Sequence, residues 1–303
     1  MADPSVLARY LDPDVLGHMA DRDLAPRGLV VGNLAGAHKS PLSGFAVEFA
    51  GHREYVPGDD IKHIDWRVYF NREKYMIKQY EMETNFVCHL LLDVSASMRY
   101  GEGRQQKLLY ASQMASMLGY SICNQSDKVT LGTFDQHVRG WVPPSNSMTQ
   151  VSRMVSHLDE IEAVEKTGLG VALNELAERM HRREIVMIFS DFFGDLEELE
   201  SALHRMRYNK HEVVLFQVMH HDELAFEFDG MIKFVGLEVP EELLAQTDDL
   251  RRGYLKALNE FNDQLEEVAA RNGCERIVVD TSRDMAELFV DYLNQRSLLN
   301  RGR

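Results

Sequence analysis

From residue 86 onward, short unbroken apolar runs alternate with longer stretches whose apolar residues recur every three or four positions. The run NFVCHLLLD (85–93) predicts a strand buried on both faces. In the stretch that follows, 103–127, Leu108, Ala111, Ala115, Leu118 and Ile122 share one helical stripe. DKVTLGTFD (127–135) and HVRGWVPP (137–144) predict two more strands, the second stopped by its proline pair. A helix over 147–161, capped by Ser147, and a second helix over 168–183 come next. EIVMIFSD (184–191) and HEVVLFQVMH (211–220) are buried strands separated by a helix over 195–210. IKFVGLE (232–238) alternates as an edge strand would, and 247–273 is a long helix closed by Asn-Gly. CERIVVD (274–280) and a helix over 282–296 complete the pattern.

Strands alternating with helices predict an α/β fold: a doubly wound, Rossmann-like, mostly parallel sheet with helices on both faces, spanning 86–300. Residues 1–85 lack this rhythm and cluster glycine, proline and histidine. They read as an irregular or β extension packing on the main domain.

Composition narrows the function classes. Lysine and arginine number 33 against 48 aspartates and glutamates, a formal charge of −15. That argues against nucleic-acid binding and against docking on an anionic membrane. The three cysteines, Cys88, Cys123 and Cys274, are dispersed with no zinc-like spacing, as expected of free thiols in a reducing cytosol. No apolar stretch is long enough for a membrane span, and the first residues do not resemble a signal peptide. The expectation is a cytoplasmic protein.

In such sheets ligands sit beyond the carboxyl ends of the strands. The 85–93 run closes on Asp93, with Ser95 and Ser97 at alternate positions, so three oxygens face one way while Val94 and Ala96 face the other. The 184–191 run closes on Asp191, and Thr167 opens the helix that begins at Gly168. Two carboxylates and three hydroxyls on one rim form an oxygen-only donor set of the kind a hard cation takes. Mg²⁺ is the expected ion, with Mn²⁺ or Ca²⁺ as alternatives, and a position is left for an external carboxylate.

DVSAS (93–97), Thr167 and Asp191 together resemble the metal-ion-dependent adhesion site of von Willebrand factor A domains. The upstream stretch EFAGHREYVPGDDIKHIDW (48–66), preceded by Gly36, His38 and Ser40, resembles a bacterial family known as domain-of-unknown-function family fifty-eight. Its signature is matched by Glu48, Arg53, Tyr55, Gly58, Asp59, Ile64, Asp65 and Trp66. That resemblance implies a cytoplasmic accessory protein for a MoxR-type AAA+ ATPase or its client, and a non-enzymatic, metal-dependent protein-binding role. Read structurally, Asp65 caps a short helix through Phe70, and Arg53 pairs with Asp59 or Asp65.

Two other roles compete. A metal-dependent phosphohydrolase would use Asp93 as nucleophile, but Ser95 stands where a second acid is expected, and no lysine or general base is visible nearby. A scaffold whose metal only staples strand ends is the other. GLGVAL (168–173) lacks the third glycine of a dinucleotide turn, and no phosphate loop occurs. His220, His221 and Asp222 read as a solvated loop rather than a metal site, because adjacent side chains on an extended segment diverge.

Overall fold

The structure, a computed structural model, describes residues 3–20, 22, 24, 26, 35–40, 48–57, 59, 61–84, 86–163, 168–181, 183–237 and 241–301. The chain divides into two compact units: Met1–Arg27 together with Val87–Arg303, and Gly28–Phe86. The expected extension 1–85 is therefore split, because its first 27 residues group with the larger unit. They form α1 (Pro4–Tyr10) and α2 (Pro13–Met19). Each opens on an Asp-Pro pair: Asp3 and Asp12 accept from the backbone N–H two residues on, while the proline supplies a first position that needs no donor. Helix α1 packs on helices of the larger unit rather than standing apart.

The smaller unit contains β1 (Ala35–Ser40), β2 (Glu48–Glu54), α3 (Trp66–Arg72) and β3 (Met76–Thr84). The strands form an antiparallel sheet in the order β1-β3-β2. Arg53 grips Asp59 with both guanidinium nitrogens, at 2.6 and 2.7 Å. Asp65 caps α3 by accepting from the Arg67 N–H at 3.0 Å, and its second oxygen meets His52 at 2.9 Å. The predicted cap is present, and α3 runs two residues past Phe70.

In the larger unit β4 (Val87–Asp93) leads through two 3₁₀ turns to α4 (Lys107–Asn124), then β5 (Lys128–Phe134), β6 (Val138–Ser145) and α5 (Thr149–Asp159). Next come α6 (Leu169–Ala177), β7 (Ile185–Ser190), α7 (Leu196–Tyr208) and β8 (Glu212–Met219). The short α8 (His221–Ala225), β9 (Met231–Val235) and β10 (Glu242–Gln246) precede α9 (Thr247–Arg271), β11 (Glu275–Asp280) and α10 (Met285–Arg301). Six strands form the main sheet in the order β11-β8-β7-β4-β5-β6. All its pairings are parallel except that of β5 with β6.

Both faces are covered. Leu91, Val186, Ile188, Val213 and Leu215 pack with residues of α6, α7 and α9. The alternate residues face the opposite way: Phe189 stacks on Phe216, which meets Tyr292 of α10 edge-on, and Leu90 lies under Gly119 of α4. Continuous apolar strands follow from this double burial.

Three expectations need correction. The 232–238 segment is not an edge of the main sheet: β9 pairs antiparallel with β10 in a separate two-stranded sheet. The 147–161 helix begins at Thr149 with Met148 at the cap, while Ser147 Oγ accepts from the Thr149 N–H at 3.4 Å. His220–Asp222 is not a loop. His220 Nδ1 accepts from the Asp222 N–H, and Glu223 accepts from the His220 N–H at 2.8 Å, so this pair caps α8.

Candidate functional site at the sheet edge

Strands β4 and β7 lie side by side and parallel, with Leu92 level with Phe189. Their last residues therefore leave the sheet together. Asp93 ends β4, and Asp191 directly follows Ser190 at the end of β7; both side chains are fully buried. Beyond Asp93 the chain is held by the Val94 N–H, which donates to the Phe134 carbonyl at 2.7 Å. It then turns through a 3₁₀ segment, Ala96–Arg99.

Asp93 is fixed by neutral donors. Its Oδ1 accepts from the Ser95 N–H at 2.9 Å, and its Oδ2 from the Ser190 hydroxyl at 2.6 Å. Ser190 Oγ also accepts from the N–H of Phe192, a buried residue in the left-handed region at φ 61°. The hydroxyls of Ser95 and Ser97 are 3.1 Å apart. Among the described residues no cation pairs with Asp93. Burial, reinforced by the charge of Asp191, pushes its pKa up to about 7 against the pull of Ser190 and Ser95.

Asp191 is balanced differently. The Lys107 ammonium, at the start of α4 and fully buried, donates to Asp191 Oδ2 at 2.8 Å and to Glu223 Oε1 at 2.9 Å. The other oxygen of Asp191 accepts from the Phe193 N–H at 3.1 Å. Burial works against the charged lysine, but Asp191 and Glu223 more than offset it and hold its pKa above the ordinary value. The Lys107 N–H in turn donates to the Tyr100 carbonyl at 3.0 Å, and the Tyr100 ring meets His220 edge-on. The turn bearing Ser95 and Ser97, the start of α4 and the capped α8 thus form one connected set.

Four of the five predicted donors, Asp93, Ser95, Ser97 and Asp191, lie at this rim; Thr167 lies outside the described residues. Its neighbour Gly168 donates its N–H to the Asp135 carbonyl just past the end of β5. Lys107 and Glu223 were not read from the sequence. A signal existed for the lysine: it opens a helix whose following residues are apolar, where a solvated face would be expected to carry it. Glu223 gave no comparable sign, because a five-residue helix has too little periodicity to register.

The donor set consists of oxygens, and Asp93 is a buried carboxylate lacking a counter-charge among the described residues. Both properties fit a hard divalent ion.

Residues 51–264 match the family described as "Protein of unknown function DUF58". The chain belongs to the DUF58 family. Among curated proteins it is 23% identical over 220 residues to the uncharacterized protein Rv1480 of Mycobacterium tuberculosis, covering 71% of this chain and 69% of that one. The uncharacterized protein Mb1516 of Mycobacterium bovis matches to the same extent. Among solved structures, the conserved hypothetical protein BatB of Bacteroides thetaiotaomicron is similar at 13% identity and a TM-score of 0.48, over 70% of this chain and 99% of that one. An aerotolerance-related membrane protein of Bacteroides fragilis is similar at 17% identity and 0.48, over 72% and 100%. The SpRpn10 VWA domain is similar at 10% identity and 0.38, over 70% and 95%. These scores all fall below one half. Among the described residues no helix is long and apolar enough to cross a membrane.

Proposed function

We propose that this DUF58 protein is a non-enzymatic protein-binding module whose sheet-edge site holds a divalent cation, Mg²⁺ above Mn²⁺ or Ca²⁺. Asp93, Ser95 and Ser97 would be the principal ligands, with Asp191 and Thr167 completing the set. When bound, the ion supplies a Lewis-acidic position for a partner's glutamate or aspartate. The observation that carries this reading is Asp93 itself, a fully buried carboxylate satisfied by neutral donors of Ser95 and Ser190 and by no cation among the described residues. A buried anion left in that state is costly, and a cation offsets the cost.

The chain's own residues do the rest. Ser190 and the Ser95 N–H orient the Asp93 carboxylate, Lys107 fixes that of Asp191, and the Val94–Phe134 hydrogen bond anchors the start of the serine-bearing turn. The partner in this reading is a MoxR-type AAA+ ATPase or its client, met in the cytoplasm. The test is capture of the purified ATPase by the immobilised protein with Mg²⁺, with EDTA, and with an Asp93→Ala variant. Capture only by the Mg²⁺-loaded wild type is expected; capture surviving both EDTA and the substitution contradicts the reading.

Lys107 gives the phosphohydrolase alternative a lysine beside Asp191. It is, however, fully buried and engaged by two carboxylates, and Ser95 still occupies the place of a second acid. A screen of phosphate esters with Mg²⁺ or Mn²⁺ is expected to show no turnover that depends on Asp93.

A further inference from the structure

We infer that Lys107 sets the charge of the sheet-edge site so that a cation-loaded site accepts an acidic ligand; this rests on the cation-binding reading above. The argument is one of charge count. Among the described residues, three carboxylates, Asp93, Asp191 and the partly buried Glu223, share the cluster with one ammonium, that of Lys107. With all four ionised the cluster carries two negative charges, and a divalent ion cancels them. An incoming carboxylate then meets a neutral site with an open Lewis-acidic position. Without Lys107 the loaded site keeps one negative charge and repels that carboxylate, even though it attracts the cation more strongly.

Lys107 both ties the start of α4 to Asp191 and Glu223 and brings a positive charge into the cluster. Its ammonium is fully buried, sits 2.8 Å from Asp191 and 2.9 Å from Glu223, and lies 5.9 Å from the centre of the Phe193 ring. Lys107 thereby offsets one charge of the Asp191–Glu223 pair, and Asp93, beside the paired hydroxyls of Ser95 and Ser97, has no cation of its own among the described residues. Buried lysines are strongly penalised unless paired, and the two carboxylates hold Lys107 in its charged form. Of the nearby charges, Arg99 is exposed to solvent, where screening weakens it, and half-buried Asp222 lies 3.3 Å from His220 Nδ1.

The experiment uses the full chain, Mn²⁺ as the ion and acetate as the probe ligand. Relaxation of the acetate methyl protons by protein-bound Mn²⁺ reports acetate at the loaded site, and electron spin resonance of free Mn²⁺ reports metal affinity. Lys107→Met is expected to bind Mn²⁺ at least as tightly as wild type and acetate about tenfold more weakly, the scale of one unit charge a few ångströms away. Glu223→Gln is expected to bind acetate more tightly than wild type. The double variant Lys107→Met with Glu223→Gln restores the count of two negative charges and returns acetate affinity to the wild-type level, which loss of packing alone would not do. Circular dichroism checks the fold of each protein, and if Lys107→Met does not fold, the tightening in Glu223→Gln decides the matter. Wild-type protein that binds no Mn²⁺ would overturn the cation site and this inference with it. Normal Mn²⁺ binding with acetate affinity unchanged by Lys107→Met or by Glu223→Gln, or with no rescue in the double variant, overturns the role of Lys107 alone.

Discussion

Asp93 and Asp191 end neighbouring strands, yet only Asp191 carries a built-in counter-ion. In metal-free protein at pH 8 the Asp93 charge is a liability, because burial and Asp191 both oppose it. Asp93→Asn keeps the size of the side chain and removes the charge. In EDTA it is expected to raise the melting temperature by a few degrees, and added Mg²⁺ should then raise it no further, whereas wild type should gain stability from Mg²⁺. Differential scanning calorimetry checks this, and a variant less stable than wild type in EDTA would contradict it. A second buried cluster lies away from the rim: His89 Nε2 meets Glu184 at 2.7 Å, and the Glu184 N–H donates to His211 Nδ1. Burial lowers the pKa of His211 from its ordinary 6.5, with Glu184 opposing. The unfolded chain therefore takes up a proton that the native His211 refuses, and its stabilising contribution is full above pH 6.5 and lost as pH falls through the folded value. Asp93 titrates in the opposite sense over an overlapping range, so the readout is a difference. The stability gap between wild type and His211→Gln is expected to narrow from pH 7.5 to pH 5.5, and a constant gap would contradict the assignment.

At the scale of elements, α6 and α7 approach closely at Gly170, where a methyl group would collide with Glu198 Cβ and meet its carbonyl carbon at 3.1 Å. Gly170→Ala is expected to cost about 1–3 kcal/mol in urea unfolding, the usual penalty of overpacking; an unchanged midpoint would show that the helices separate freely. The main elements were legible because the sheet is buried on both faces: each central strand is a continuous apolar run, and each long helix carries a stripe. Short elements were not. α8 has five residues and is capped by a histidine, outside the usual capping set, so His220–Asp222 looked like a loop. The ELLAQ segment of β10 alternates too weakly to announce the partner of β9, which left the hairpin half-seen. The Asp-Pro pairs at 3–4 and 12–13 did encode α1 and α2, but seven-residue helices carry too few apolar repeats to stand out.

Across the whole molecule, a charge of −15 coexists with a rim that gathers buried carboxylates and hydroxyls, the proposed cation site. The placement of that rim was readable, since parallel strands of one sheet must end together, and a carboxylate after each of two apolar runs marks the place. What the sequence could not convey was the balance of charge, because Lys107 stands 84 positions from Asp191 and meets it only in three dimensions. The sequence changes texture near residue 85, and the grouping of residues 1–27 with the larger unit left no mark in it, since short helices packing on distant partners leave no periodic trace. The central claim is that the rim binds one divalent ion through Asp93. Isothermal calorimetry of Mg²⁺ into wild type and Asp93→Ala tests it most directly. Saturable binding of one ion in wild type, lost in the variant while circular dichroism is unchanged, is the predicted result; no saturable binding in wild type, or equal binding in both, contradicts the account.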